Sequence, residues 1–299
     1  MDKEQKAIER IKLASQLSLQ KYGKPLICTY SGGKDSDVLL ELFKRSGVPF
    51  EAHNSHTTVD APETVYHIRQ VFHDLENEGG RAQIIMPKYK GEPTTMWKLI
   101  EIKGFPPTRM ARYCCEILKE NDGKNRMIAT GVRWAESIKR GKIWDVFNIP
   151  YGKYKTKIND SIMLSNDNDE KRKFIERCEL KAKTICNPII DWSDKEVWDF
   201  YYSECKRHNP FYEKGHTRCG CIGCPLATRK NRILEFKEFP QYEILYKHAF
   251  KRMLKHADRK KMFSFAESWK NEEDVFAWWM QDPTIPGQIT IDDWMKETE

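Results

Sequence analysis

The hexapeptide Ser31-Gly32-Gly33-Lys34-Asp35-Ser36 joins a short apolar run at residues 25–30 to an amphipathic stretch at residues 37–44. A strand that breaks into two glycines and then enters a helix is a phosphate cradle. The glycines let the backbone approach phosphate oxygens, the helix amides and dipole point at the anion, and Lys34 with the Ser31 and Ser36 hydroxyls completes the shell. The spacing differs from G-x-x-x-x-G-K-[ST], so the loop is not of the Walker type. A plain Gly-Gly turn among charges would lack this strand-to-helix setting.

Hydrophobic spacing extends the pattern. Residues 4–21 read as an amphipathic entry helix, 36–45 and 63–77 as further helices, and 25–30, 50–56, 81–86 and 127–131 as strands. Strands alternating with helices predict an α/β fold, a parallel twisted sheet with helices on both faces, whose ligands gather at the carboxyl ends of the strands. Residues 165–183 are charged at more than half of their positions and read as an exposed or mobile insertion. Ser193 and Glu196 form a capping box that opens a helix. Past residue 200 no strand pattern appears. The expected division is therefore an α/β domain over 1–200 and a mainly helical C-terminal extension over 201–299, packed on it.

With 39% hydrophobic residues among 299, the chain can bury a sizeable core. No apolar run approaches the ~18 residues of a membrane span, so a cytoplasmic protein with no membrane partner is expected. Nine cysteines in a reducing compartment are thiols or metal ligands rather than disulfides. The net charge of +7 is local: residues 225–262 hold eleven Lys/Arg against four Asp/Glu, whereas 263–299 hold two against nine. Ile233, Phe236, Phe239, Ile244, Leu245 and Ala249 give the basic segment a helical spacing. It is either a face for nucleic acid or another polyanion, or a solvated face neutralised by the acidic tail.

Cys114-Cys115 is a vicinal pair, and Cys221-Ile222-Gly223-Cys224 is a C-x-x-C about a hundred residues later. Four thiolates from two places suit tetrahedral zinc or a [4Fe–4S] cluster. Neighbouring thiolates strain on one small ion, while a cuboidal cluster offers each a separate iron, so the cluster is preferred over zinc and over uncommitted thiols. Cys219 can replace one ligand or remain a free thiol that carries sulfur. Cys28, Cys178, Cys186 and Cys205 read as small buried hydrophobes.

The loop, the segment 57–64, Arg112-Tyr113-Cys114-Cys115 with Lys119, the stretch 130–140, the stretch 187–198 and Asn209-Pro210-Phe211-Tyr212 with Gly215 follow one another in an order that resembles the phosphoadenosine phosphosulfate (PAPS) reductase family. That family lies within the PP-loop, or adenine nucleotide alpha-hydrolase, superfamily, and the resemblance runs from about residue 20 to 226. The vicinal pair with a distant C-x-x-C also resembles the cluster set of assimilatory adenylyl-sulfate reductases.

This resemblance implies a PP-loop/HUP-like fold with ATP and Mg2+. It places adenosine by Thr57, Thr58 and Asp60, and sets Arg112, Lys119, Arg133 and Arg140 on phosphate or sulfate, with Gly131 in the Arg133 motif. Lys34, Asp35, Arg133 and Arg140 are the implied catalytic set. Asp35 is read as a magnesium ligand or a partner of Lys34, and Glu136 and Ser137 as helix caps or supports for the arginines. Each arginine taken singly could instead be a surface ion pair. The family's reductases use a cysteine near the C-terminus and tend to carry a degenerate loop. Here no cysteine follows Cys224 and the loop is intact.

Both departures favour an ATP pyrophosphatase coupled to sulfur transfer, as in the sulfur-inserting components of DNA phosphorothioation systems, with a sulfur donor such as a cysteine desulfurase and nucleic acid as a candidate acceptor. Three alternatives stand beside it: a sulfonucleotide reductase with an unusual nucleophile, an ATP sulfurylase-like adenylyltransferase, and a non-catalytic nucleotide sensor.

Overall fold

Leu26, Ile27 and Cys28 are consecutive apolar residues with almost no exposure, so the first strand, β1 (Leu26–Thr29), is covered on both faces. That is the pattern of a central strand in a parallel sheet. The computed structural model describes residues 2–109, 111–120, 122–136, 175–178, 183–255 and 269–281. In chain order, β1 is followed by β2 (Phe50–Ser55), β3 (Arg81–Ile85), a short hairpin of β4 (Lys88–Tyr89) and β5 (Glu92–Pro93), then β6 (Met127–Ala129), β7 (Ile175–Cys178) and β8 (Lys183–Cys186). The main sheet has the order β3-β2-β1-β6-β8-β7, parallel except for β7 at the edge. Cys28 sits in register with Ala52 on one side and Ala129 on the other. Strand order therefore reverses beside β1, at the end of which the glycine loop leaves the sheet.

The helices are α1 (Lys3–Tyr22), α2 (Lys34–Ser46), α3 (Pro62–Asn77), α4 (Met96–Lys103), α5 (Asp194–Glu204), α6 (Pro210–Glu213), α7 (Arg229–Glu238), α8 (Pro240–Leu254) and α9 (Glu272–Trp279). Local signals set many of their ends. Asp2 caps α1, Pro62 occupies the first turn of α3, and Ser193 with Glu196 closes the predicted capping box of α5. Among the described residues no helix is long and apolar enough to cross a membrane.

The chain divides into two compact units, one of Met1–His56, Ala61–Ile85 and Asn121–Cys219, the other of Thr57–Asp60, Met86–Glu120 and Gly220–Glu299. The first holds the sheet, with α2 packed on α1 and α5. Its core includes Ile11, Leu39, Leu42, Phe43 and Tyr201. The second is mainly helical, with α8 packed on α4, α7 and α9. Residues 201–219 thus belong with the sheet, and 57–60 and 86–120 with the helices.

Three features differ from the sequence reading. The charged stretch 165–183 contains strand residues, because 175–178 pair antiparallel with β8; its other residues up to 182 lie outside the described ones. Strand β8 itself is a four-residue run behind lysines, too short for its period to show. The basic segment is two helices rather than one continuous face: α7 ends at Phe239 and Pro240 starts α8. A single helical phase drawn across that break fails, so Ile233, Ile244 and Leu245 are exposed while Arg232, Phe236, Tyr246 and Phe250 are buried.

Candidate functional site

The first unit builds the glycine loop as a tight turn onto α2. Gly32 adopts φ +75, and a Cβ there would stand 2.7 Å from Ile68 and 3.0 Å from Thr64. Only glycine fits both the backbone and the space. Helix α2 starts at Lys34, two residues earlier than predicted, with Gly33 as its cap. The Ser36 hydroxyl accepts from the Gly33 amide at 3.1 Å and donates to the Gly33 carbonyl at 2.7 Å. The Tyr212 hydroxyl accepts from the Lys34 amide at 2.9 Å.

Asn209, fully buried, holds the loop from behind. Its side-chain amide donates to the Gly32 carbonyl at 2.7 Å, to Thr64 at 3.1 Å and towards the Cys219 sulfur at 3.4 Å. Cys219 is therefore a neighbour of the glycine loop. Burial pushes its thiol up to about 11, against hydrogen bonds from Tyr212 and Thr64 and the charge of Lys34.

The Asp35 carboxylate has two cationic partners. Arg133 Nε donates to Oδ1 at 2.6 Å and Lys34 Nζ to Oδ2 at 2.8 Å. Arg133 is 1% exposed and its remaining nitrogens reach Asp194 at 2.7 Å and the Trp192 carbonyl at 3.3 Å. It ties the loop to the start of α5 and has no nitrogen turned to solvent for a phosphate. Lys34 also lies 5.2 Å over the Trp198 ring. Gly131 abuts this turn, since a Cβ on it would meet the Asp35 carbonyl at 3.0 Å. Behind the loop, Tyr30, Asp37 and His67 form a buried hydrogen-bonded triangle, with His67 Nε2 at 3.1 Å from both the Tyr30 hydroxyl and Asp37 Oδ1.

The second unit holds Cys114, Cys115, Cys221 and Cys224. Cys114 precedes a π-helical turn, Cys115–Lys119, and the Arg112 guanidinium approaches the Cys115 sulfur at 3.7 Å. A hydrogen bond from Cys114, opposed by burial and aided by Arg112 and Lys119, holds the Cys115 thiol well below its ordinary range, and Cys114 is raised in turn. Cys114 also feels the charges of Cys221 and Cys224. The Lys119 ammonium is stabilised first by Cys221, then by Asp60 and Cys224, against burial. Asp60 pairs its backbone with Cys221, and Cys221 Sγ lies 3.8 Å from Asp60 Oδ1. Ile222 N donates to the Val59 carbonyl at 2.8 Å. Thr58, a β-branched residue at φ +67, accepts from the Met96 amide at 2.9 Å and so takes up the first amide of α4, whose N-cap is Thr95. Such backbone in a non-glycine residue is costly and persists only when the surroundings over-determine it.

Among the described residues no three His, Cys, Asp or Glu side chains stand close enough to hold a metal ion. Thiolates are the donor type that a zinc or iron–sulfur centre takes, but the described residues do not bring the cysteine side chains together as one such site. Cys114, Cys115, Cys221 and Cys224 are free thiols of one unit, with Lys119 and Arg112 beside them. Arg232, buried nearby, leaves Nε and Nη2 without a partner.

Residues 25–227 match the phosphoadenosine phosphosulfate reductase domain. The chain belongs to the phosphoadenosine phosphosulfate reductase family. An uncharacterized protein of Methanocaldococcus jannaschii is 26% identical over 232 residues, covering 74% of this chain and 40% of that protein. The adenosine 5'-phosphosulfate reductase of Geobacillus kaustophilus is 22% identical over 210 residues, 69% of this chain and 74% of the enzyme. A phosphoadenylyl-sulfate reductase structure from Candida auris superposes with a TM-score of 0.48 at 14% identity, covering 73% of this chain and 89% of the other. The chain spans less than half the length of the curated relatives it matches first.

The phosphoadenosine phosphosulfate reductase domain thus takes in the loop, both cysteine motifs and the Asn209–Tyr212 corner. Ser31, Gly32, Gly33, Lys34, Asp35, Ser36, Gly131 and Arg133 lie in the first unit, while Thr57, Thr58, Asp60, Arg112 and Lys119 lie in the second with the four cysteines. Thr57 and Asp60, expected at adenosine, adjoin Cys221. Arg140 and Ser137 fall outside the described residues, as does the Glu136 side chain. Asn209 and Tyr212, although inside a recognised motif, were assigned no role from sequence. In the structure Asn209 caps α6, and nothing local in the sequence announced the contact of Asn209 and Tyr212 with a loop 177 or 178 residues away.

Proposed function

We propose that this member of the family is an ATP pyrophosphatase coupled to sulfur transfer. ATP would lie with its phosphates on the Ser31–Ser36 loop and its magnesium ion among them. An acceptor oxygen attacks the alpha phosphorus and pyrophosphate leaves. The terminal sulfur of a persulfide from a cysteine desulfurase-type donor then attacks the adenylated atom, and AMP leaves with the acceptor oxygen. A second thiol cleaves the resulting S–S bond, leaving the sulfur on the acceptor and the donor as a disulfide with that thiol. The observation that carries this reading is the intact glycine loop, with Gly32 in a conformation and a space that admit no side chain. Asp35, already neutralised by Arg133 and Lys34, serves better to position Lys34 than to hold the magnesium ion. Arg133 supports the loop, and Arg140 stays among the cations assigned to the phosphates.

Cys114, Cys115, Cys221 and Cys224 would hold a [4Fe–4S] cluster. Bound there, it supplies a soft, redox-active centre for sulfur chemistry. Nucleic acid is the acceptor class we assign. Exposed Lys230 and Lys237 on α7 support it, although part of the basic segment is neutralised: Lys247 pairs with Glu243 and Glu273, and Lys251 with Glu272.

The test is to purify the protein anaerobically and follow AMP and pyrophosphate from ATP, with and without DNA or RNA. Acceptor-dependent AMP release is expected. Sulfite from a sulfonucleotide with thioredoxin, and none of that AMP, would make the chain a reductase. Adenylyl-sulfate formed from sulfate would make it a sulfurylase, and tight ATP binding without turnover a sensor.

A further inference from the structure

The two residues that flank the glycine loop are joined to each other. Tyr30 immediately precedes Ser31, Asp37 immediately follows Ser36, and the Tyr30 hydroxyl donates to Asp37 Oδ1. His67 on α3 completes the triangle, with Nε2 at 3.1 Å from Asp37 Oδ1, 3.2 Å from Oδ2 and 3.1 Å from the Tyr30 hydroxyl. All three side chains are buried. Burial, then the charge of Asp37, pushes the Tyr30 hydroxyl well above its ordinary range, so it keeps its proton and directs it at the carboxylate. Nε2 of His67 then carries a proton of its own, because a bare ring nitrogen would face that carboxylate as a second acceptor.

The backbone of Tyr30 is fixed as well. Its amide donates to the His53 carbonyl and its carbonyl accepts from the Asn54 side chain, both at 2.8 Å. Helix α3 presents Thr64, His67 and Ile68 at the spacing of one helix face. Thr64 and Ile68 crowd the position where a Cβ on Gly32 would stand, while His67 holds the residue that follows the loop. Among the described residues Asp37 pairs with no lysine or arginine. A buried carboxylate with such partners adds little net stability, and an apolar side chain would fill the place at lower cost. What a fully bonded network contributes is one fixed arrangement.

We infer that Tyr30, Asp37 and His67 are positioning residues for the phosphate chain of a nucleotide: their triangle clamps both ends of the Ser31–Ser36 loop against α3, so that the loop amides stand ready before the ligand arrives. The inference rests on the nucleotide reading above and adds what holds the loop in shape. The three residues act through the loop rather than on the ligand. A loop that keeps the competent shape only about a tenth of the time binds its ligand about tenfold more weakly.

The test uses the full chain as wild type, Tyr30→Phe, His67→Leu and His67→Gln, the last keeping an amide that can donate to Asp37. Pyrophosphate and Mg-ATP affinities are measured by calorimetry, and amide hydrogen exchange is compared between residues 31–37 and helix α1, all well below each variant's melting temperature. Tyr30→Phe and His67→Leu should bind both ligands about tenfold more weakly and exchange faster over 31–37 alone. His67→Gln should stay near wild type. Lower melting temperatures with unchanged affinity and loop exchange would reduce the triangle to core packing and overturn the inference. So would exchange that rises equally in α1, or a His67→Gln protein as weak as His67→Leu. Should His67→Leu fail to fold, Tyr30→Phe decides, since it removes a single oxygen: wild-type affinity there overturns the inference. Wild type that binds neither ligand would remove the nucleotide reading, and the inference with it.

Discussion

The hydroxyl of Tyr212 occupies the backbone amide of Lys34, 2.9 Å away, at the first residue of α2. The first amides of a helix have no partner within it, and anions bind there. Tyr212 therefore stands on a donor that a phosphate oxygen would use. Tyr212→Phe should cost the ligand-free protein about 1 kcal/mol and tighten pyrophosphate and ATP binding several-fold by calorimetry. Weaker binding would make the hydroxyl a ligand contact instead.

Asn209 is the second support of that loop. Asn209→Ala removes the donors to Gly32 and Thr64 and leaves buried carbonyl and hydroxyl groups unmatched. A loss of about 2–4 kcal/mol is expected from denaturant unfolding, together with weakened nucleotide binding.

Gly223→Ala should disable the C-x-x-C loop. The new methyl group meets three aromatic rings, and the left-handed backbone opposes it independently. Roughly 2 kcal/mol or more of destabilisation should accompany loss of bound iron. Iron content equal to wild type would show that the loop need not keep this geometry.

Cys219 and Cys221 are two residues apart but have different surroundings. Cys219 packs with Asn209 and Gly33, whereas Cys221 adjoins Asp60. Cys219→Ser should leave the iron-to-protein ratio unchanged, and Cys221→Ser should abolish the visible absorbance of loaded protein. Loss of iron in Cys219→Ser would make that thiol a ligand.

Acid should weaken the clamp on α1. Burial favours the neutral form of Asp191, but hydrogen bonds from Arg10 at 2.9 and 3.2 Å and the charge of Lys6 hold its carboxyl below the ordinary 3.8. A carboxyl lowered on folding adds stability above its unfolded value, and that stability is lost as pH falls below 3.8 through the folded value. Asp191→Asn should cost about 3 kcal/mol near neutral pH, with the gap to wild type closing in acid. Parallel unfolding free energies across that range would contradict the assignment.

Much of the first unit was legible in the sequence. The glycine loop, the flanking strand and helix, Pro62 and the Ser193–Glu196 box are contiguous signals, each satisfied within a few residues of itself. The family motifs also led the sequence reading to treat Cys114, Cys115, Cys221 and Cys224 as one ligand set; the structure places all four in the second unit without bringing them together as a metal site. Less legible were β8, whose four residues give too little period, and the basic segment, whose phase is reset at Pro240.

The sequence by itself determined that a parallel sheet presents a glycine loop running into a helix, because strand, turn and helix preferences are local and the loop's glycines are adjacent to the elements they join. Only the tertiary structure decided that Arg133 faces Asp35 and Asp194 instead of solvent, that Cys219 belongs to the loop, and that Thr57 and Asp60 adjoin Cys221. It also buried Arg232 against Trp279. These partners lie tens to more than a hundred residues apart in the chain. Which charge is buried, and beside what, depends on how whole faces pack, and no local pattern encodes that.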